Sequence, residues 1–158
     1  ESYWLSGMRS KIGLTTEDIL DEELINDLLK IMEAGQADFT LVFRRLSKTL
    51  QGDSDAVRNL FKEPDAFNAW VVRWQKRLEQ EDIVAETTAQ AMDRVNPIYI
   101  PRNHKVEESL AAAVNQDMTP FTKLLEVVIQ PFDEVAGNEA YAEPAPATNR
   151  RYQTFCGT

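Results

Sequence analysis

The sequence predicts an all-α fold of about six or seven helices followed by an irregular C-terminal tail. Apolar residues recur at offsets of three, four and seven along most of the chain, the spacing of a helical face. No segment alternates with the period of two that a half-buried strand requires. No 20–50-residue unit repeats, so a solenoid is not indicated.

The opening holds Tyr3-Trp4-Leu5 and Met8-Arg9-Ser10-Lys11-Ile12-Gly13-Leu14, a stretch too short and glycine-interrupted to be assigned as a helix. Leu24, Ile25, Leu28, Leu29, Ile31 and Met32 then form a clear stripe. Asp21 stands where an N-cap would accept a free backbone N–H, and Gly35 where a positive φ could end the helix. A second helix starts near Asp38 and carries Phe39, Val42, Phe43, Leu46 and Leu50 on one face. Gly52 ends it, and Asp53 or Asp55 can cap a short piece holding Val57, Leu60 and Phe61.

Pro64 breaks the chain because its nitrogen carries no hydrogen and its ring clashes with a preceding helical turn. Asp65 is placed to cap the next helix, where Phe67, Trp70, Val71, Trp74 and Leu78 make the sharpest amphipathic pattern in the protein. Core packing accounts for this aromatic stripe without a ligand, since aromatic side chains dominate core energetics. A helix from about Asp82 to Val95 has a weaker face of Ile83, Val84, Ala91, Met92 and Val95. Asn96-Pro97-Ile98-Tyr99-Ile100-Pro101 should be extended, because each proline drives its predecessor out of the α region. Asn103 can cap a helix over Val106, Leu110, Ala113 and Val114. Thr119-Pro120 reads as N-cap and first-turn proline of a last helix with Phe121, Leu124, Leu125 and Val128 inward. Residues 1–130 are therefore expected to be the helical region. Residues 131–158, with scattered Pro and small residues, are expected to be an irregular tail.

The 158 residues fit one ordinary domain, large enough to fold without disulfide or metal staples. Seventeen Lys and Arg against 26 Asp and Glu give a net charge of −9, which disfavours nucleic acid and anionic lipid as partners. No stretch approaches the ~20 apolar residues of a membrane span. One Cys and one His exclude a zinc site built mainly from those ligands within this chain, so no metal site is expected.

Signatures of chemistry are sparse. The six glycines fall in no phosphate-loop spacing, and no His-Glu-x-x-His, Cys-x-x-Cys or Gly-x-Ser-x-Gly occurs. Asp53-Ser54-Asp55 lacks the Gly and Glu of a calcium loop and reads as a solvated helix cap. Glu17, Asp18, Asp21, Glu22 and Glu23 crowd a helix start, where the partial positive charge of the helix stabilises carboxylates without catalysis. Two places remain. Arg102-Asn103-His104 emerge at a helix start and could bind an anion; alternatively Asn103 caps, Arg102 pairs within the fold and His104 is satisfied nearby. Cys156 stands third from the C-terminus, where Arg150 and Arg151 could favour its thiolate if they lie close; it could equally be incidental.

The string Met92-Asp93-Arg94-Val95-Asn96-Pro97-Ile98-Tyr99-Ile100-Pro101-Arg102-Asn103-His104 resembles the Asn-Pro…Arg-Asn signature of the selenoprotein O family. Its flanks follow in the same order. Met8 to Leu14, Asp38-Phe39-Thr40, Phe43-Arg44-Arg45-Leu46 and Ala66-Phe67-Asn68-Ala69-Trp70 through Trp74 precede it. Pro131-Phe132-Asp133-Glu134, Tyr141, Pro144, Pro146 and a terminal Cys-x-x follow it, with Gly157-Thr158 where the family often ends in two serines.

The resemblance implies a kinase-like protein adenylyltransferase that binds ATP with Mg²⁺ and transfers AMP to hydroxyl groups of target proteins. Cys156 matches the position where some members carry selenocysteine. The implied role is redox control through pairing with a cysteine of the catalytic core. That cysteine, the nucleotide-binding lysine, the metal-binding Asp and Asn and the phosphate-binding arginines of the family all belong upstream of the matched region. The chain is thus expected to be the C-terminal helical part of such a protein, without catalytic residues and binding no cofactor itself. Its expected partners are the kinase-like core and protein substrates. The expected compartment is the cytoplasm for a bacterial source and the mitochondrion for a eukaryotic one. The alternative is a self-contained acidic helical domain that docks a partner protein without catalysis.

Overall fold

A computed structural model describes residues 3–146. Among them all regular structure is helical: α1 (Tyr3–Lys11), α2 (Asp21–Ala34), α3 (Phe39–Leu50), α4 (Asp55–Arg58), α5 (Asp65–Leu78), α6 (Ala85–Val95), α7 (Asn103–Val114), α8 (Thr119–Val128) and α9 (Glu139–Ala142). The all-α expectation holds. Two helices were not anticipated, α1 at the glycine-interrupted start and the single turn α9 within the region expected to be irregular. Cys156, with Arg150 and Arg151, lies outside the described residues.

The chain divides into two compact units, one running to Pro97 and one beginning at Ile98. In the first unit, α2 packs on α5, α3 on α4 and α6, and α1 on α2 and α6. Its core is continuous from Ile12 through Ile25, Leu28, Val42, Phe43 and Leu46 to Phe67, Trp70, Trp74 and Met92. The stripe read from α5 is its centre. Phe61 stacks on Phe67 at 4.8 Å between ring centroids, Phe67 on Trp70 at 6.1 Å and Trp70 on Trp74 at 5.6 Å. Both indoles keep a polar partner while buried. Trp70 Nε1 donates to the Leu24 carbonyl and Trp74 Nε1 to the Ile12 carbonyl, each at 2.8 Å. One side chain thus fills space and fixes the register of a neighbouring element.

Several helix ends differ from expectation. Asp38 caps α3, its carboxylate accepting from Leu41 N at 2.9 Å, and Asp53 accepts from Ala56 N ahead of α4. Asp21, Asp65, Asn103 and Thr119 are instead first helical residues, and no side chain of the preceding residue caps those helices. Gly35 does not supply a positive φ; that falls on Gln36. Glycine is needed at position 35 for space, because a Cβ there would approach Phe61 Cδ1 to 2.9 Å.

In the second unit α7 packs on α8. The extended segment before α7 is tied to the chain after α8. Ile98 N and Tyr99 N both donate to the Pro131 carbonyl, at 2.8 and 3.2 Å. The Tyr99 hydroxyl accepts from Val135 N at 3.1 Å and lies 3.3 Å from the Val135 carbonyl, to which it donates. Here the predicted faces hold only in part, Leu124 being buried as expected. Leu124 and Val127 are buried on α8 and Ser109 on α7, whereas Leu110, Val114, Phe121 and Leu125 are exposed.

Candidate functional site

The polar side chains that the first unit buries are concentrated in two networks, to which the motif residues Arg9, Arg44 and Asn96 contribute. The first centres on Asp21, whose carboxylate is fully buried. It accepts from Arg9 Nε at 2.7 Å, Arg77 Nε at 2.8 Å and the backbone N–H of Asp18 at 2.9 Å. Burial pushes its acidity the wrong way, but Arg77, the Asp18 N–H and Arg9 together hold the carboxyl below the usual carboxylate range. Arg77 also donates to the Thr16 carbonyl at 3.0 Å and lies 3.0 Å from Glu81. Glu81 closes the loop after α1 by accepting from the N–H and hydroxyl of Thr15 (2.9 and 2.6 Å) and of Thr16 (3.1 and 2.8 Å). The acidic run at the start of α2 therefore contains one residue, Asp21, whose role is not dipole compensation but charge neutralisation in the core.

Burial would raise the Glu81 pKa, yet the four Thr15 and Thr16 donors lower it to about 2 from an ordinary 4.5. A carboxyl depressed on folding stabilises the fold above its unfolded pKa, and that contribution disappears as pH falls through the folded value. For Glu81 the contribution is about 3 kcal/mol at neutral pH, converted at about 1.4 kcal/mol per pKa unit, and is lost between about pH 4.5 and 2. All three tryptophans lie in the first unit, so their fluorescence reads its unfolding. Urea titrations of the protein and of Glu81→Gln should differ by about 3 kcal/mol at pH 7 and converge toward pH 2. A pH-independent difference would show that folding leaves the acidity of the Glu81 carboxyl unchanged.

The second network ends α6. Asn96 Nδ2 donates to the Lys11 carbonyl at 2.8 Å, and Lys11 Nζ donates back to Asn96 Oδ1 at 3.2 Å. Arg44 Nη1 donates to the carbonyls of Asp93 (2.8 Å) and Asn96 (3.2 Å), and Ser47 Oγ donates to Asp93 Oδ1 at 2.7 Å. These bonds satisfy carbonyls at the helix end, which Pro97 prevents from continuing. Burial depresses the Lys11 pKa. Gly13 makes the adjoining turn with φ +78°, and a Cβ there would fall 2.8 Å from Met92 Sδ. Thus Lys11, Gly13, Arg44, Asp93 and Asn96 meet at one joint, while Arg9 belongs to the Asp21 network. The motifs that carry the resemblance join α1, α3 and α6.

Arg102, Asn103 and His104 stand at the start of α7. Arg102 is buried and its Nη2 donates to the Ala142 carbonyl at 2.7 Å, tying α9 to the start of α7. Lys105 Nζ lies 5.3 Å over the Tyr141 ring at the same joint. Asn103 is exposed and His104 half-buried. Burial, then the charges of Lys105 and Arg102, lower the His104 pKa. Among the described residues no group of three His, Cys, Asp or Glu side chains is arranged to hold a metal ion, and no helix is long and apolar enough to cross a membrane.

The sequence profile described as "Protein adenylyltransferase SelO" matches residues 1–129. The chain belongs to the SelO family. Curated relatives agree. A "Protein nucleotidyltransferase YdiU" of Rhizobium leguminosarum bv. trifolii is 47% identical over 100% of this chain. Proteins of the same description from Sphingopyxis alaskensis and Maridesulfovibrio salexigens are 46% and 42% identical over 98% and 99% of it. In each case the match spans only 32% of the relative. The chain therefore corresponds to about a third of the length of the SelO-family relatives it matches. The buried networks explain which SelO motif residues sit where, yet Arg77 and Glu81 carry no sequence signal of their roles, and Asp21 reads from sequence only as a cap and a dipole partner. An Asp or Glu at a helix start and an Arg in a last turn look like ordinary dipole partners until the fold brings them together.

Proposed function

We propose that this chain is the C-terminal helical part of a SelO-type protein adenylyltransferase, where it supports the kinase-like core and carries a redox-active thiol at Cys156. The observation that carries the reading is the alignment of essentially the whole chain, at 42–47% identity, with about a third of proteins described as nucleotidyltransferases. In this reading the target hydroxyl takes AMP from ATP and pyrophosphate leaves. The described residues do not fit a Mg²⁺ site; ATP and Mg²⁺ belong to the rest of the family polypeptide. No nucleic acid or membrane partner is proposed for a chain of net charge −9. The cited relatives are bacterial, and the proposed compartment is the bacterial cytoplasm. A stand-alone acidic interaction domain is the less supported reading, because it leaves the alignment with one third of a nucleotidyltransferase unaccounted for.

The redox step is thiol–disulfide exchange with a small disulfide such as oxidised glutathione. The Cys156 thiolate attacks one sulfur and expels the other as a thiolate. A core thiolate then attacks the mixed disulfide at Cys156 and releases the second small thiol. Two protein thiols are oxidised, one disulfide is reduced to two thiols, and the tail is tethered to the core. AMP transfer by the family-length polypeptide should be several-fold slower after oxidation than after reduction, while Cys156→Ser should not respond. Equal rates in all four samples would sink the redox role. Absence of AMP transfer from every sample would sink the adenylyltransferase reading.

A further inference from the structure

The second unit leaves apolar side chains on its surface that the amphipathic pattern would bury. Between α7 and α8 runs a groove of about 230 Å³ whose walls include Pro101, Val106, Leu110, Phe121, Leu125 and Val128. Leu110, Phe121 and Leu125 each expose about half of their surface, at 55, 44 and 47%. Val114 on α7 and Ile129 just after α8 expose 84 and 65%. Val114 and Ile129 each follow a groove residue, Leu110 and Leu125, by one helical turn, and exposed apolar surface of this kind marks an interaction site.

We infer that this face docks an apolar surface, ringed by basic side chains, within the two-thirds of the family polypeptide that this chain does not span. The inference rests on the proposal that the chain is one part of a longer SelO-type protein. Two observations select that occupant. The relatives carry about twice as much additional chain as is present here, ample to supply a complementary apolar face. Residues 98–146 hold three basic and eight acidic side chains, a net charge of −5, so a second copy would bring like charge against like. Residues 147–158 offer only Tyr152 and Phe155 as large apolar groups, against five exposed ones on this face.

The test is photo-crosslinking in a family-length polypeptide that carries this segment. Benzoylphenylalanine replaces Leu125 in one sample, Val114 in a second and the exposed Glu107 in a control. Each is mixed equally from ¹⁵N-labelled and unlabelled protein, and circular dichroism confirms helix content. Val114 is the more exposed position and the safer substitution should Leu125 be required for folding. Expected are crosslinks from 125 and 114, several-fold more abundant than from 107, to peptides of the same molecule outside residues 1–158. Crosslinks joining labelled to unlabelled chains would assign the face to a second copy and overturn the proposal. Crosslinks to residues 147–158, or none above the control, would overturn it equally. The readout is independent of AMP transfer, so failure of the enzymatic reading and failure of the docking face are told apart.

Discussion

Replacing Asp21 with alanine is expected to cost the first unit about 3–5 kcal/mol, the range for removing one partner of a buried ion pair. The reason is not the loss of attraction alone. Arg9 and Arg77 are both buried, and each aims its Nε at the Asp21 carboxylate, at 2.7 and 2.8 Å. Without that carboxylate, Arg9 and Arg77 lose the buried counter-ion they share, while Arg77 keeps Glu81 at 3.0 Å and Arg9 keeps Glu17 at 3.7 Å. Asp21→Asn keeps the shape and one acceptor oxygen and should still lose most of this amount, because the charge carries it. Urea unfolding followed by tryptophan fluorescence measures both. In a double-mutant cycle with Arg77→Ala, the paired change should cost clearly less than the sum of the single ones, as expected for residues in one network. Strict additivity, or a loss for Asp21→Ala below about 1 kcal/mol, would mean the pair behaves as an exposed one.

The second large effect is expected at Trp74. Truncation to alanine should destabilise the protein by about 3–5 kcal/mol through the transfer term and the cavity left behind. Trp74 is fully buried, stacks on Trp70 with 14° between the ring planes, and bonds the Ile12 carbonyl where α1 turns into the following loop. Trp74→Phe separates the two contributions. It retains most of the apolar contact but orphans the carbonyl, for which about 1–3 kcal/mol is expected. Thermal melts by circular dichroism should rank the wild type above Trp74→Phe and Trp74→Ala below both. Since whole domains are stable by only about 5–15 kcal/mol, the alanine variant should lie close to unfolding at 37 °C. A Phe variant as damaged as the Ala variant would show that the indole N–H bond, not packing, dominates.

These two residues mark how legible the protein is. Trp74 was readable because its apolar neighbours repeat at a helical period, and a buried stripe of that strength has one packing solution. The stripes on α2 and α3 were readable for the same reason, except that Phe39 at the start of α3 is left half exposed. On α7 and α8 the same rule placed Leu124 correctly, but Leu110, Val114, Phe121 and Leu125, also expected inward, are exposed, and the helices bury Ser109 and Val127 instead. Periodicity says that a helix has an apolar face. It does not say whether that face is closed by its own unit or by another. The motif residues were legible as a string, since their order carried the family resemblance. Their roles were not, because Lys11 meets Asn96 across 85 positions and Arg44 meets Asp93 across 49.

The amino-acid order alone determined that this protein is helical, where most of its helices lie, which stripe forms its centre, and its kinship to the SelO family. Each of these rests on interactions within a few residues or on direct correspondence of residue strings. Only the tertiary structure decided that Asp21 is a buried counter-ion rather than a cap, that Gly35 is required for space rather than for a positive φ, and that Arg102 holds α9 to α7. A side chain's charge state and partners depend on which distant groups share its dielectric surroundings, and local spacing does not encode that proximity.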